Sequence, residues 1–150
     1  MATPAIALLG MLALAQTAHL AEHVAQIVQI HVLHLTGPSA RGIVGQLDLE
    51  WVHFVWNAFV LVAIVALLPR YPANPWLIAV APFAAWHFAE HVVMISTYVR
   101  TGVAGTPGLL SAGGVIAGGL PIARPDLHFL YNLVETGPLV LAWLTQLRRI

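Results

Sequence analysis

Apolar residues fill the chain in four long runs, separated by shorter stretches of proline, glycine and charge. The first run begins at about Pro4 and reaches about Leu35; it starts almost wholly apolar and ends with Gln26, Gln29, His31 and His34. A helix rises about 1.5 Å per residue and needs roughly 20 residues to cross the hydrocarbon of a bilayer. The first helix is longer than that, so its last turns are expected among the headgroups or under a loop. Thr36-Gly37-Pro38-Ser39 breaks it. After a glycine-containing loop, Arg41 to Gln46, the second run covers about Asp48 to Leu68, with Asp48 placed to cap it. The return through Pro69, Arg70, Tyr71, Pro72 and Asn74 is short. A third run spans about Pro75 to Val99, with Pro75 in its first turn and Pro82 as a kink point. Residues 101–125 are rich in glycine and proline. Their apolar part, Leu109 to Gly119, is too short and glycine-rich to span, and reads as a loop or re-entrant segment folded over one end of the bundle. Lipid-exposed irregular backbone would leave its amides unpaired. The fourth run covers about Pro125 to Leu147, with Asp126 near its start and Gly137-Pro138 as a second kink point.

Composition makes lipid the expected solvent. Hydrophobic residues form 59% of the 150 and charged residues 8%, where a soluble domain carries about 25% charged residues. The absence of cysteine removes disulfides, iron–sulfur clusters and thiolate zinc sites. The chain has no lysine and zero formal net charge, so no basic face for nucleic acid exists. The N-terminal run has the apolar core of a signal peptide and small residues near Ala15 and Ala18, but no basic start, and His19 follows directly. It is expected to be a retained first span. Arg70, Arg148 and Arg149 on one side balance Arg41, Arg100 and Arg124 on the other, so charge leaves orientation tied. Termini in the cytoplasm and a bacterial inner (plasma) membrane are the working expectation.

The second half reads as a repeat of the first. His19-Leu20-Ala21-Glu22-His23 returns as His87-Phe88-Ala89-Glu90-His91, 68 positions on, and His53-Phe54-Val55-Trp56-Asn57 returns as His128-Phe129-Leu130-Tyr131-Asn132, 75 positions on. The extra residues fall in the glycine-rich loop. Each unit crosses twice, so both are expected to insert the same way round, about a pseudo-twofold axis along the membrane normal. The expected fold is an all-α integral membrane protein. It is a four-transmembrane-helix bundle of two tandem helix hairpins, residues 1–70 and 71–150, together one membrane domain. Counted from the end shared by Pro4, Leu68, Pro75 and Leu147, the motif residues lie about 16–29 Å along their helices. The four histidine-bearing stretches are therefore expected in one off-centre layer beneath the two long loops.

Ionisable side chains inside a membrane cost about 2.5–3.5 kcal/mol each on insertion scales, so the repeated boxes point to a function. Within each box the histidines are four apart and share a helix face, with the glutamate close to it. Imidazole with carboxylate and no sulfur favours iron or zinc over copper(I). The expected metal ligands are His19, Glu22, His23, Glu50 and His53 from the first unit and His87, Glu90, His91 and His128 from the second. Glu22, Glu90 and the deeply placed Glu135 are the candidates for catalytic work, bridging metals or relaying protons. Asn57 and Asn132, one turn from their histidines, are expected to orient the cofactor's ligands. Most Trp and Tyr side chains are expected at the interfaces, with Trp56 and Tyr131 able to wall a pocket. His31 and His34 are expected at the interface. A purely structural role for the polar residues, as hydrogen bonds between helices, is the bland alternative.

Glu50-Trp51-Val52-His53 is similar to the Glu-x-x-His element of carboxylate-bridged dimetal bundles, although the fourth helix has Pro125 where the second has Glu50. The His-x-x-x-His and His-x-x-Glu-His boxes resemble those of membrane di-iron desaturases and hydroxylases, whose paired-histidine boxes this chain lacks. His19–His23 is also similar, over about ten residues, to the helix motif of copper-handling assembly proteins of respiratory oxidases, and His-x-x-Glu-His matches the inverted zinc-protease motif. The resulting expectation is a membrane metalloprotein with a dinuclear iron centre, serving redox or oxygen-dependent chemistry on a lipophilic substrate or quinone, within a larger membrane complex. The alternatives are a haem b electron carrier, a protein that transports or delivers copper, zinc or iron, and a non-catalytic accessory subunit.

Overall fold

The computed structural model describes residues 4–45 and 49–149. Four helices make up the fold: α1 (Pro4–His31), α2 (Glu50–Leu67), α3 (Pro75–Thr101) and α4 (Arg124–Leu147), and among the described residues there is no strand. A short 3-10 turn, Gly37–Ser39, follows α1. Asp48, expected to cap α2, lies outside the described residues; Leu49 occupies the N-cap position. The best-built start is that of α3. The Asn74 side-chain Oδ1 accepts from the amides of Trp76 and Leu77, Pro75 supplies a helical φ where no amide donor is needed, and Asn74 Nδ2 donates to Ala142 O at 2.9 Å. Gly102, with φ 71°, ends the helix in the left-handed region that glycine enters freely. Neither Pro82 nor Pro138 interrupts its helix.

The bundle has two storeys. At the end that holds the N-terminus of α1, the core is dry: Leu9, Leu12, Val60, Ile64, Leu77 and Leu139 pack together from all four helices. The loop end is polar, with His19, His23, His53, His87, His91 and His128 all buried. This is the off-centre layer that helix arithmetic placed beneath the loops. α1 packs chiefly on α4 and α2 chiefly on α3; α3 also meets α4, while α1 touches α2 only lightly.

Three helices, α1, α2 and α3, are long and apolar enough to cross a membrane. The fourth carries more polar side chains, and several of these point inward. His128, Asn132, Glu135, Thr136 and Gln146 are buried, while Leu130, Leu133, Val134 and Leu141 are exposed.

Candidate metal centre

Six imidazoles form two triads, His19–His23–His53 and His87–His91–His128. In each triad, one ligand nitrogen per residue lies within 4.8 Å of the other two. Helical spacing explains the grouping: residues four apart on α1 or α3 present two rings from one face, and the third comes from the first turns of α2 or α4. The two triads touch. His53 stacks on His91 at 5.5 Å and 15°, and His23 on His128 at 6.5 Å and 19°. Within the two boxes the ring separations match, 4.9 Å for His19–His23 and 5.0 Å for His87–His91, but the ring planes cross at 88° in the first and 44° in the second.

Hydrogen bonds fix which nitrogen is offered. His53 Nδ1 lies 3.3 Å from Leu49 O, and His128 Nδ1 lies 3.0 Å from Arg124 O. A carbonyl only accepts, so Nδ1 carries the hydrogen and Nε2 keeps its lone pair. His87 Nδ1 sits 2.8 Å from the Glu135 carboxylate, both fully buried, which leaves His87 Nε2 facing His91 Nε2 at 3.2 Å. Carboxylate-to-histidine contacts of this kind orient metal-binding imidazoles. His19 Nε2, His128 Nε2, His91 Nδ1 and both nitrogens of His23 are buried without a hydrogen-bond partner. An unpaired buried polar group costs about 1–3 kcal/mol.

The remaining glutamates face elsewhere. Glu22 accepts from the amides of Ile43 (2.8 Å) and Val44 (3.1 Å). Glu90 is wholly buried and abuts Gly108 in the other loop, where any Cβ would collide with its carboxylate, and neither carboxylate oxygen has a hydrogen-bond partner. Glu50 pairs with Arg124 at 2.8 Å and accepts from Gly105 N at 2.9 Å. Glu22 and Glu50 therefore tie the loops down over the histidine layer. Asn57 and Asn132 donate to the carbonyls of His53 and His128, both at 2.9 Å, and so brace the helix turns that carry those rings rather than the rings themselves. At the surface, exposed His31 meets Asp126 at 2.6 Å and joins the end of α1 to the start of α4.

Two participants escape a motif-based reading. Gln16 is wholly buried; it donates to Asn132 and accepts from Trp56, each at 2.9 Å, knitting α1, α2 and α4 directly below the first triad. Its place three residues before His19, on the same face, is the available signal. Arg124 is the other. A cation at a helix N-terminus opposes the helix dipole, which hints that it is held there by a partner, here Glu50.

The fold and site define a class: an all-helical protein with three helices apolar enough to cross a membrane and two buried imidazole triads. No protein-family model, curated protein or solved structure matches the chain.

Proposed function

We propose that this is a membrane metalloprotein that binds two first-row transition-metal ions, one per histidine triad, for redox chemistry on a lipid-soluble substrate. The observation that carries the reading is the convergence of three imidazoles in each triad, with ring nitrogens of His19, His23, His91 and His128 buried without a hydrogen-bond partner. A metal ion accepts those lone pairs and removes the cost of burying them. A purely structural role would leave both nitrogens of His23 unpaired. Three protein ligands per ion leave positions open for a further ligand, as catalytic sites require.

The clustered donors are nitrogens, and Glu22 and Glu50 are engaged by loop amides and Arg124, whereas the buried Glu90 carboxylate has no hydrogen-bond partner and remains a candidate further ligand. Imidazole suits copper, zinc and iron alike, so copper and zinc stand beside iron in a site dominated by histidine. When bound, the ions supply Lewis acidity or electron transfer. The chain holds the rings in register, excludes water beneath two loops, and keeps a proton on His87 Nδ1 through Glu135. Haem b fits less well, since the six rings lie against one another and leave no slot for a macrocycle.

In this reading α4 is the fourth span. Its inward polar face is covered by the bundle and its outward face is apolar. The reciprocal packing of α1 on α4 and α2 on α3 supports two hairpin units about a pseudo-twofold axis.

Metal analysis of protein purified in detergent and washed with chelator tests the proposal. The expected result is about two ions per chain, falling to about one in His23→Ala or His91→Ala and to none in the double variant. Metal-free washed protein, or a Soret band in its spectrum, would contradict it.

A further inference from the structure

Side chains on the helices fix how deep the two long loops sit. The short-loop end of the bundle carries exposed Arg70, Trp76, Arg148 and Arg149, an anchor set for one face of a bilayer. Hydrocarbon reaches about 30 Å from such a face. At about 1.5 Å per residue, Glu90 stands roughly 22 Å up α3 from Pro75, Glu50 roughly 26 Å up α2 from Leu67, and Glu22 roughly 27 Å up α1 from Pro4. Helix tilt lowers these heights further. Each of the three residues meets a loop. Glu22 accepts from the amides of Ile43 and Val44, Glu50 accepts from Gly105 N at 2.9 Å, and Gly108 lies against the Glu90 carboxylate. Beyond these contacts α1 and α3 climb on to His31 and Thr101, about 40 Å from their starts.

We propose that both loops are sunk in the outer edge of the hydrocarbon, with phospholipid acyl chains packed on Ile43, Val44, Val115 and Ile116. The inference rests on the function proposed above for the membrane setting alone. Side-chain chemistry agrees with the depth. Residues 101–123 contain no charged side chain, and the four apolar residues are exposed. Val44 lines a groove beside α2 with Trp51, Val55 and Phe59, and that groove reaches His19, so the first loop continues the outward apolar face of the helix. Backbone chemistry agrees as well. Irregular chain is tolerated at membrane depth only where protein satisfies its polar groups. From Ala112 to Ile116 every amide finds a carbonyl of the same segment, and the amides of Gly119, Leu120 and Ile122 do likewise. In the first loop Gln29 accepts from Gly42 N and donates to Gly42 O, while Gln26 donates to Ala40 O. A loop standing in water needs none of this closure, and a protein partner would have to reach below the headgroups to cover it.

The chain has no cysteine, so one introduced thiol carries one label. The test is fluorescence quenching of the NBD-labelled full chain in phosphatidylcholine nanodiscs, by nitroxides on the lipid acyl chains and, separately, by aqueous iodide. Ile43→Cys and Val115→Cys report on the two loops, and Val44→Cys and Ile116→Cys repeat the measurement at neighbouring positions should either variant lose helicity. Val62→Cys, on the exposed face of α2, is the lipid reference, and Arg100→Cys, near the far end of α3, is the water reference. Loop labels are expected to be quenched by the acyl-chain nitroxides as Val62→Cys is, and by iodide about tenfold less than Arg100→Cys, because a bare anion is excluded from hydrocarbon. Iodide quenching of the loops equal to that of Arg100→Cys would overturn the proposal while leaving the membrane setting intact. Loop labels that neither quencher reaches would overturn it too, because another protein chain would then cover them. Iodide access at Val62→Cys would remove the membrane setting, and the proposal with it.

Discussion

His23 is 2% exposed and has no hydrogen-bond partner on either ring nitrogen. His87, its neighbour across the site, has its Nδ1 held by Glu135. The two triads are thus alike in ligands and unlike in support, because Val60 stands in the first unit where the repeat offset places Glu135 in the second. Glu135→Gln should therefore weaken metal at the second triad about 10–100-fold and leave the first unchanged, which competition titration against a chelator can read. Glu50 and Arg124 form a second buried pair, 2% and 18% exposed. Removing one partner strands the other charge, so Arg124→Ala should cost about 3–5 kcal/mol in denaturant unfolding, and the Glu50→Ala, Arg124→Ala double variant less. The histidines were legible in the sequence because buried titratable groups are costly in lipid. The aim of the glutamates was not. A carboxylate three residues from a histidine can turn toward an ion or toward a loop amide, and helical spacing does not distinguish the two. Loop amides at Ile43 and Val44 decide it for Glu22.

Among the elements, the helix starts marked by proline followed the sequence, Pro75 for α3 and the Arg124–Pro125 step for α4, whereas α1 stops at His31 rather than at about Leu35, well before Gly37 and Pro38, and α3 runs past Val99 to a cap at Gly102. Less legible was the loop over residues 102–123. Its amides pair within the segment, as in Leu120 N to Leu110 O at 2.7 Å, and reach the helices through Gly105 and Glu50. Such long-range closure leaves no periodic signature. Gly108 lies against Glu90, so Gly108→Ala should push this strap off the bundle. Faster amide hydrogen exchange across residues 102–123, with α1 and α2 unaffected, is the expected readout. At the opposite end, Asn74→Ala removes both the α3 cap and the link to Ala142. A loss of about 1–2 kcal/mol is expected on thermal or denaturant unfolding.

Taken whole, the molecule separates its tasks by height. The apolar storey around Leu9, Ile64, Leu77 and Leu139 holds the bundle together. The storey above concentrates six imidazoles beneath two loops, with a groove leading in from one side at His19. The dry storey lets the upper one keep unpaired nitrogens that would destabilise a bundle built of them alone. X-ray absorption at the metal edge of the washed, purified protein examines the centre directly. The account predicts a first shell of about three nitrogen donors at roughly 2.0–2.1 Å for a zinc-like ion, with imidazole outer-shell scattering. A carboxylate-dominated shell, a porphyrin pattern or no metal edge at all would contradict it.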